Sequence, residues 1–503
     1  MIFRNSVQFP AVITCVAITA LYGFTGTPAA PTDHARHGSG LGAGWIGEAA
    51  GFFLDDCAII RGDWEIHQVD YRPNDNGALD IAVDSLDGTH LAYRDATNGT
   101  LRYAFLDESG IERALADGQS SAGWNVALSL DGDGRPHIAH HYPPLNRVRY
   151  AVNRNDTWER EETAFGVATA AVDKRCLDIQ VAADGYPRLV RTGMGSLAYD
   201  TRNGAGWSTM EVDTTGDPGW FPCLMLDFDG TPNIASQRRG SNEVIWSRLT
   251  GSTWSNEVVA AGAIGGWVSA AMTPNGDRFL CYQVDNHLAC AVHDGAAWSM
   301  TTVDSTSGAA WSASLSLRPD LRPAIAYIID GAGMLRYAVR QGVQWQYEDV
   351  WGPSVPLTCA LAHDKLGRPR IAFVDHGLVW LAKKVVETTT VMVLLNDTVF
   401  SAGDRFVLRL KIETPDTPVV NGDLYLVLEV FGEYFFFPTW STVVEAVPLS
   451  LPGSQALAVN LLDFTWPGGV APIPSAAFWM VITAPGDVGT MVSNVDMAGF
   501  STL

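Results

Sequence analysis

The sequence predicts an all-β chain in two parts, a seven-bladed β-propeller followed by an immunoglobulin-like β-sandwich. Three observations predict it. First, the stretch WNVALSLDGDGRPHIAHHYPPLNRVRYA at residues 124–151 recurs in recognisable copies. These align on a turn glycine at Gly88, Gly134, Gly185, Gly230, Gly276 and Gly367, with Leu321 standing in once, at spacings of 45 to 51 residues. That period belongs to propeller blades, not to leucine-rich or ankyrin repeats, and seven copies mean seven blades. Second, large and small residues alternate within a copy, as in Leu128-Ser129-Leu130 followed by Ile138-Ala139. Such alternation describes a strand covered on both faces, as when each sheet lies between two others. Third, the last 115 or so residues carry short strand patterns without helical periodicity, the signature of a sandwich.

Taken in order, residues 1–29 read as a secretory signal. Arg4 gives a positive start, residues 9–24 are largely apolar, and Thr27-Pro28-Ala29 supplies small residues for cleavage. An uncleaved anchor is the rival, though the run is shorter than the ~20 residues that span a bilayer. The expectation is export, to the medium, the cell surface or the periplasm, with no membrane span after cleavage. Residues 30–63 form a Gly/Ala-rich linker with an apolar stretch at 51–60 that the pattern does not place.

The propeller is expected over residues 64–386. A proline opens the second strand of most copies (Pro136, Pro187, Pro232, Pro323, Pro369), where no ladder donor is needed. Third strands carry LRYA-like motifs at residues 101–104, 148–151 and 335–338. Fourth strands begin with Trp158, Trp207, Trp254, Trp298 and Trp345. Trp64 opens a further fourth-strand motif ahead of the first copy, while the seventh copy lacks one, so the N-terminal strand should complete the last blade and leave no open edge. The sandwich is expected over residues 387–503. There Phe406, Leu408, Leu410 and Ile412 alternate with Val407, Arg409, Lys411 and Glu413 as a strand with one wet face.

A net charge of -22 and a pI near 4.8 exclude nucleic acid and anionic membrane surfaces as natural partners. No HExxH, GxSxG, P-loop or strand-to-helix GxGxxG is present, so neither a cofactor nor a metal is expected. Asp131-Gly-Asp-Gly and Asp227-Phe-Asp-Gly start like calcium loops, but Tyr142 and Arg238 occupy the twelfth positions, and hairpin capping is the better reading. His137, His140 and His141 share a strand, and neighbours facing opposite ways cannot easily share a metal. Arg102, Arg149 and Arg336 recur in step with the fold, which points to contacts between blades. Cys281 and Cys290 stand symmetrically about a turn at Asp285-Asn286; a cross-strand disulfide and two core thiols are both open.

Trp124, Trp220, Trp267 and Trp311 all fall just before the first strand of their blades, near the rim of the central channel in the usual propeller order. They are the candidate ligand-binding residues, since indole faces pack against sugar rings. The competing reading, preferred on sequence alone, is that they wedge between blades.

The patterns LSLDGDGRPHIAH with VRYA, and LAYRDATNGTLRYA, resemble the blade repeat of secreted bacterial seven-bladed β-propeller proteins; GDRFVLRLKIE and GDLYLVLEVFGEYFFFP resemble the sandwich domain often found behind it. The resemblance covers residues 64–503 and implies exported, modular proteins. It departs at Leu189-Val190-Arg191 and at Leu321. The expected function is non-enzymatic binding of an extracellular glycan or protein. The alternative is a carbohydrate-active hydrolase or lyase, with Asp213, Asp217, Asp285 and Asp304 as blade-specific acids that spacing alone does not bring together.

Overall fold

The computed structural model describes residues 58–167, 175–262, 264–354, 356–416 and 419–503. The expected signal sequence and most of the expected linker lie outside the described residues. The described chain divides into two units, one formed by Ala58–Val385 with Leu394–Asp397, the other by Val386–Val393 and Thr398–Leu503.

The first unit is built of propeller-like blades of four antiparallel strands. Among the described residues it holds six four-stranded sheets, each running in chain order from an innermost to an outermost strand, and one of five strands whose two outermost strands come from the N-terminal side. The innermost strands are Leu79–Val83, Trp124–Leu130, Leu177–Val181, Trp220–Leu226, Ile264–Met272, Ala309–Leu317 and Pro356–His363, and these number the sheets one to seven. Each innermost strand packs on the next, and the seventh packs on the first. In the seventh sheet Trp64–Asp70 pairs with Leu378–Lys384 in antiparallel register, Trp64 opposite Lys384. Ile59–Arg61, left in the linker on sequence, adds a fifth strand at that edge.

The recurring residues hold neighbouring sheets together. A fourth-strand indole packs edge-on against a third-strand ring of the preceding sheet: Trp158 on Tyr103 at 5.2 Å, Trp207 on Tyr150 at 5.9 Å and Trp254 on Tyr199 at 5.5 Å. Buried aspartates at the ends of outermost strands reach across the same seam. The Asp304 carboxylate accepts the Tyr327 hydroxyl at 2.7 Å and an Arg336 N–H at 2.8 Å, while Asp117 pairs with His140 and Arg149, both at 3.1 Å. Burial alone would raise the Asp304 carboxyl, but these donors outweigh it and hold it below its usual 3.8. Arg102, Arg149 and Arg336 thus serve the seams, each facing a carboxylate of the preceding sheet.

The turn aspartates cap their own hairpins. Asp131 Oδ1 accepts the Asp133 and Arg135 amides, and Asp227 Oδ1 accepts the Thr231 amide. His140 and His141 are committed to different partners, Asp117 and Asn146.

The second unit has a three-stranded sheet of Thr390–Leu395, Arg405–Glu413 and Ala456–Thr465. Its larger sheet is centred on Val419–Val430 and Ala476–Ala484. Phe406 of the first sheet meets Phe500 at 5.2 Å and Phe478 at 6.4 Å in the second, so an aromatic core joins the two. The face of Arg405–Glu413 expected to be wet is covered instead: Val407, Lys411 and Glu413 are buried, and Lys411 pairs with Glu413 at 3.1 Å. The sequence reading does not anticipate the strands Val447–Pro452, Asp487–Met491 and Asp496–Thr502, where Pro, Gly and Asp blur the alternation.

Candidate functional site

The innermost strands begin irregularly. Register shifts fall between Trp124 and Val126, Trp220 and Cys223, Ile264 and Val268, and Ala309 and Ala313. A bulge of this kind re-aims side chains at the mouth of a barrel or ring. Each shift contains a left-handed residue: Asn125 (φ 50°), Phe221 (φ 51°), Trp267 (φ 55°) and Ala310 (φ 73°). Asparagine adopts this conformation readily. Bulky aromatic residues do not, at a cost of order 1 to 3 kcal/mol each that surrounding structure must offset.

Two cavities open beside these bulges. One, of about 250 Å³, is lined by Trp220, Phe221, Trp267 and Trp311 together with Gln237, Arg239, Asn242 and Gln283. Phe221 and Trp267 pack at 5.4 Å between ring centres. The Gly265-Gly266 pair makes room for this lining: a Cβ on Gly265 would lie within 2 Å of Gln283 Oε1, and one on Gly266 3.2 Å from Phe221 Cζ. Gln283 donates to the Ala309 carbonyl at 3.1 Å. Arg239 lies over the Trp220 ring, 4.5 Å from its centre. Trp220 is 4% exposed and its indole N–H has no hydrogen-bond partner among the described residues.

The second cavity, about 210 Å³, shares Trp267 and Trp311 with the first and is lined also by Asp75, Asn76, Asp80, Asn125, Arg175 and Thr358. Burial raises the Asp80 carboxyl to about 6, with Arg175 opposing and Asp178 adding to the rise. Both Asp80 oxygens are engaged: Oδ1 accepts the Ile81 amide at 3.0 Å and Oδ2 the Leu128 amide of the second sheet at 2.8 Å. Ser129, Asp178, Ser269 and Ser314 make the same kind of tie to the next sheet.

Three of the four candidate tryptophans therefore converge on one cavity, and the fourth does not. Trp124 is half-buried beneath Arg94, whose guanidinium lies 4.4 Å from the ring centre, and it lines neither cavity. Of the candidate acids, Asp213 pairs with Arg238 at 2.6 Å and Asp304 serves a seam, while Asp217 and Asp285 occupy left-handed positions. None of the four lines either cavity.

Cys281 and Cys290 are direct cross-strand partners, as their spacing about the turn suggests. They stand here as separate buried thiols, not as a bridge. Burial pushes the Cys290 thiol up to about 12 and the Cys281 thiol well above 9.0, so neither is poised as a thiolate. Sequence reasoning missed Arg239, Gln237 and Gln283. The Gly265-Gly266-Trp267 triplet, alone in standing two glycines before a rim indole, was the available signal.

No family model matches the chain, nor does any curated protein sequence. Among solved structures it is similar to YCF48 bound to a D1 peptide, with 14% identity over 66% of this chain and 99% of that one and a TM-score of 0.44. It is also similar to the polysaccharide lyase Uly1, with 10% identity over 63% of this chain and 91% of that one and a TM-score of 0.41. A third is the β-propeller domain of Cps50 (Swd1) from Myceliophteria thermophila, with 10% identity over 63% and 98% and a TM-score of 0.45. Likenesses this distant carry no ligand or activity with them.

Proposed function

We propose that the chain is an exported, non-enzymatic binding protein. In this reading the seven sheets form a seven-bladed β-propeller that presents a carbohydrate site, and the C-terminal unit is an immunoglobulin-like sandwich acting as spacer. The observation that carries the reading is the convergence of Trp220, Trp267 and Trp311, from three successive sheets, on one cavity lined by amide side chains. Indoles offer flat faces to sugar C–H groups, and amides offer donors and acceptors to hydroxyls. The strained backbone at Phe221 and Trp267 fits the same reading, because such strain tends to sit where a ligand is bound.

The alternative, a hydrolase or lyase, is favoured by one feature, the raised carboxyl of Asp80 in the neighbouring cavity. Its two oxygens are already held by backbone amides, which suits a structural acid better than a proton donor to substrate.

The test is a glycan array on the full chain. We expect glycan binding that is lost in Trp311→Ala, a substitution at a residue 44% exposed that should leave folding intact, and in the pair Trp220→Ala with Trp267→Ala. An array without a hit would remove the reading.

A further inference from the structure

We infer that the glycan taken by the tryptophan cavity is acidic, a chain containing uronic acid residues whose ring carboxylate is received by Arg239. The inference rests on the binding reading above and adds the ligand's charge and chemical class.

Arg239 has no carboxylate within ion-pair distance among the described residues, although the protein carries 55 acidic against 33 basic side chains. Its neighbour Arg238 shows the ordinary outcome, paired with Asp213 at 2.6 Å and with Glu243 at 3.3 Å. No Asp or Glu lines the tryptophan cavity. A guanidinium lying on an indole keeps its in-plane N–H fork open at the edge, the geometry that grips a planar carboxylate through two parallel hydrogen bonds.

A second observation is independent of the arginine. Gln237 is 3% exposed and lines the cavity, and its side-chain amide makes no hydrogen bond among the described residues. Its polar atoms keep some solvent access, so the amide can bond a ligand that enters the cavity. The lining thus offers uncharged donors from Gln237, Asn242 and the tryptophans and one cation, Arg239, but no anion. A neutral sugar would use the indoles and amides and leave the guanidinium in water. A uronate satisfies both, its ring on an indole and its carboxylate on the fork.

The experiment uses the full chain on an array carrying oligogalacturonates, glucuronate-containing oligosaccharides, their carboxyl-reduced counterparts, and neutral and sulfated glycans, followed by calorimetric titration of the best-bound uronate and its reduced form. We expect the reduced form to bind about tenfold more weakly or worse. In Arg239→Gln the uronate and its reduced form should bind alike, the preference for the acid being lost. Arg239→Lys, which keeps the charge but not the fork, should lie between. Equal binding of acid and reduced forms, stronger binding of sulfated neutral chains, or a preference that survives in Arg239→Gln would each overturn the inference while leaving carbohydrate binding standing. Silence across the whole array would overturn both. Arg239 is exposed, so an unchanged melting temperature in both variants separates lost recognition from lost folding.

Discussion

Two indole–arginine pairs sit near the ends of innermost strands, and they have opposite fates. Trp124 lies under Arg94, contributed by the first sheet, and Arg94 is 7% exposed, bonded to the Ala122 carbonyl at 3.0 Å and paired with Asp75 at 3.2 Å. Trp220 lies under Arg239 of its own fourth sheet, and that arginine is exposed with no carboxylate in ion-pair distance among the described residues. The chemistry is the same in both places. The first pair is closed on itself and acts as mortar between sheets, whereas the second is open toward a cavity. In a repeat protein the units that keep the rule hold the ring, and the departures from it are where function can reside.

This contrast can be broken by substitution, taking the largest expected effect first. Trp124→Ala should cost about 3 kcal/mol of unfolding free energy in urea titration, as for a large aromatic lost from a packed seam, without changing glycan binding. Trp311→Ala should show the reverse, little stability lost and binding abolished. Arg94→Ala should cost about 2 kcal/mol, since the Ala122 carbonyl loses its donor and Asp75 its partner, while Arg239→Ala should fall within about 0.5 kcal/mol of the parent. Equal losses for the two arginines would end the distinction.

A smaller effect concerns pH. Asp80 ties the first sheet to the second with a carboxylate, whereas Ser269 ties the fifth to the sixth with a hydroxyl. The Asp80 carboxyl is raised from 3.8 to about 6 on folding, so between those values the folded chain binds more protons than the unfolded one. Its stabilising contribution is therefore complete below about pH 4 and is lost as pH rises through 6. Asp80→Ser should flatten this segment of the stability profile, gaining about 1 kcal/mol at pH 7 relative to pH 4, a value discounted for partial exposure. An unchanged profile would show that the Asp80 tie is already neutralised by Arg175.

Much of the first unit was legible in the sequence because its rules are local. The turn glycines, the prolines that open second strands and the Trp64 motif are each read within a few residues, and they place strands, seams and the completing N-terminal segment. What separates Trp124 from Trp220, Trp267 and Trp311 is not local. It depends on Asp75 reaching Arg94, on that arginine reaching an indole of the next sheet, and on left-handed backbone at Phe221 and Trp267, where neither residue type signals that conformation. The covered face of Arg405–Glu413 was missed for a related reason: Lys411 and Glu413 read as solvent-facing until their mutual pairing is seen.

The pairing of Trp64–Asp70 with Leu378–Lys384 sets a condition on how the protein is made. The Trp64–Asp70 strand waits for a partner made only after the six other sheets of its unit, so the seventh sheet cannot be completed until Lys384 has emerged, and both margins stay raw until then. Assembly by so distant a contact is slow, and a chain in that state is open to pairing with its neighbours. Cutting off the first seventy residues should therefore harm the yield of recoverable protein more than it harms any single sheet.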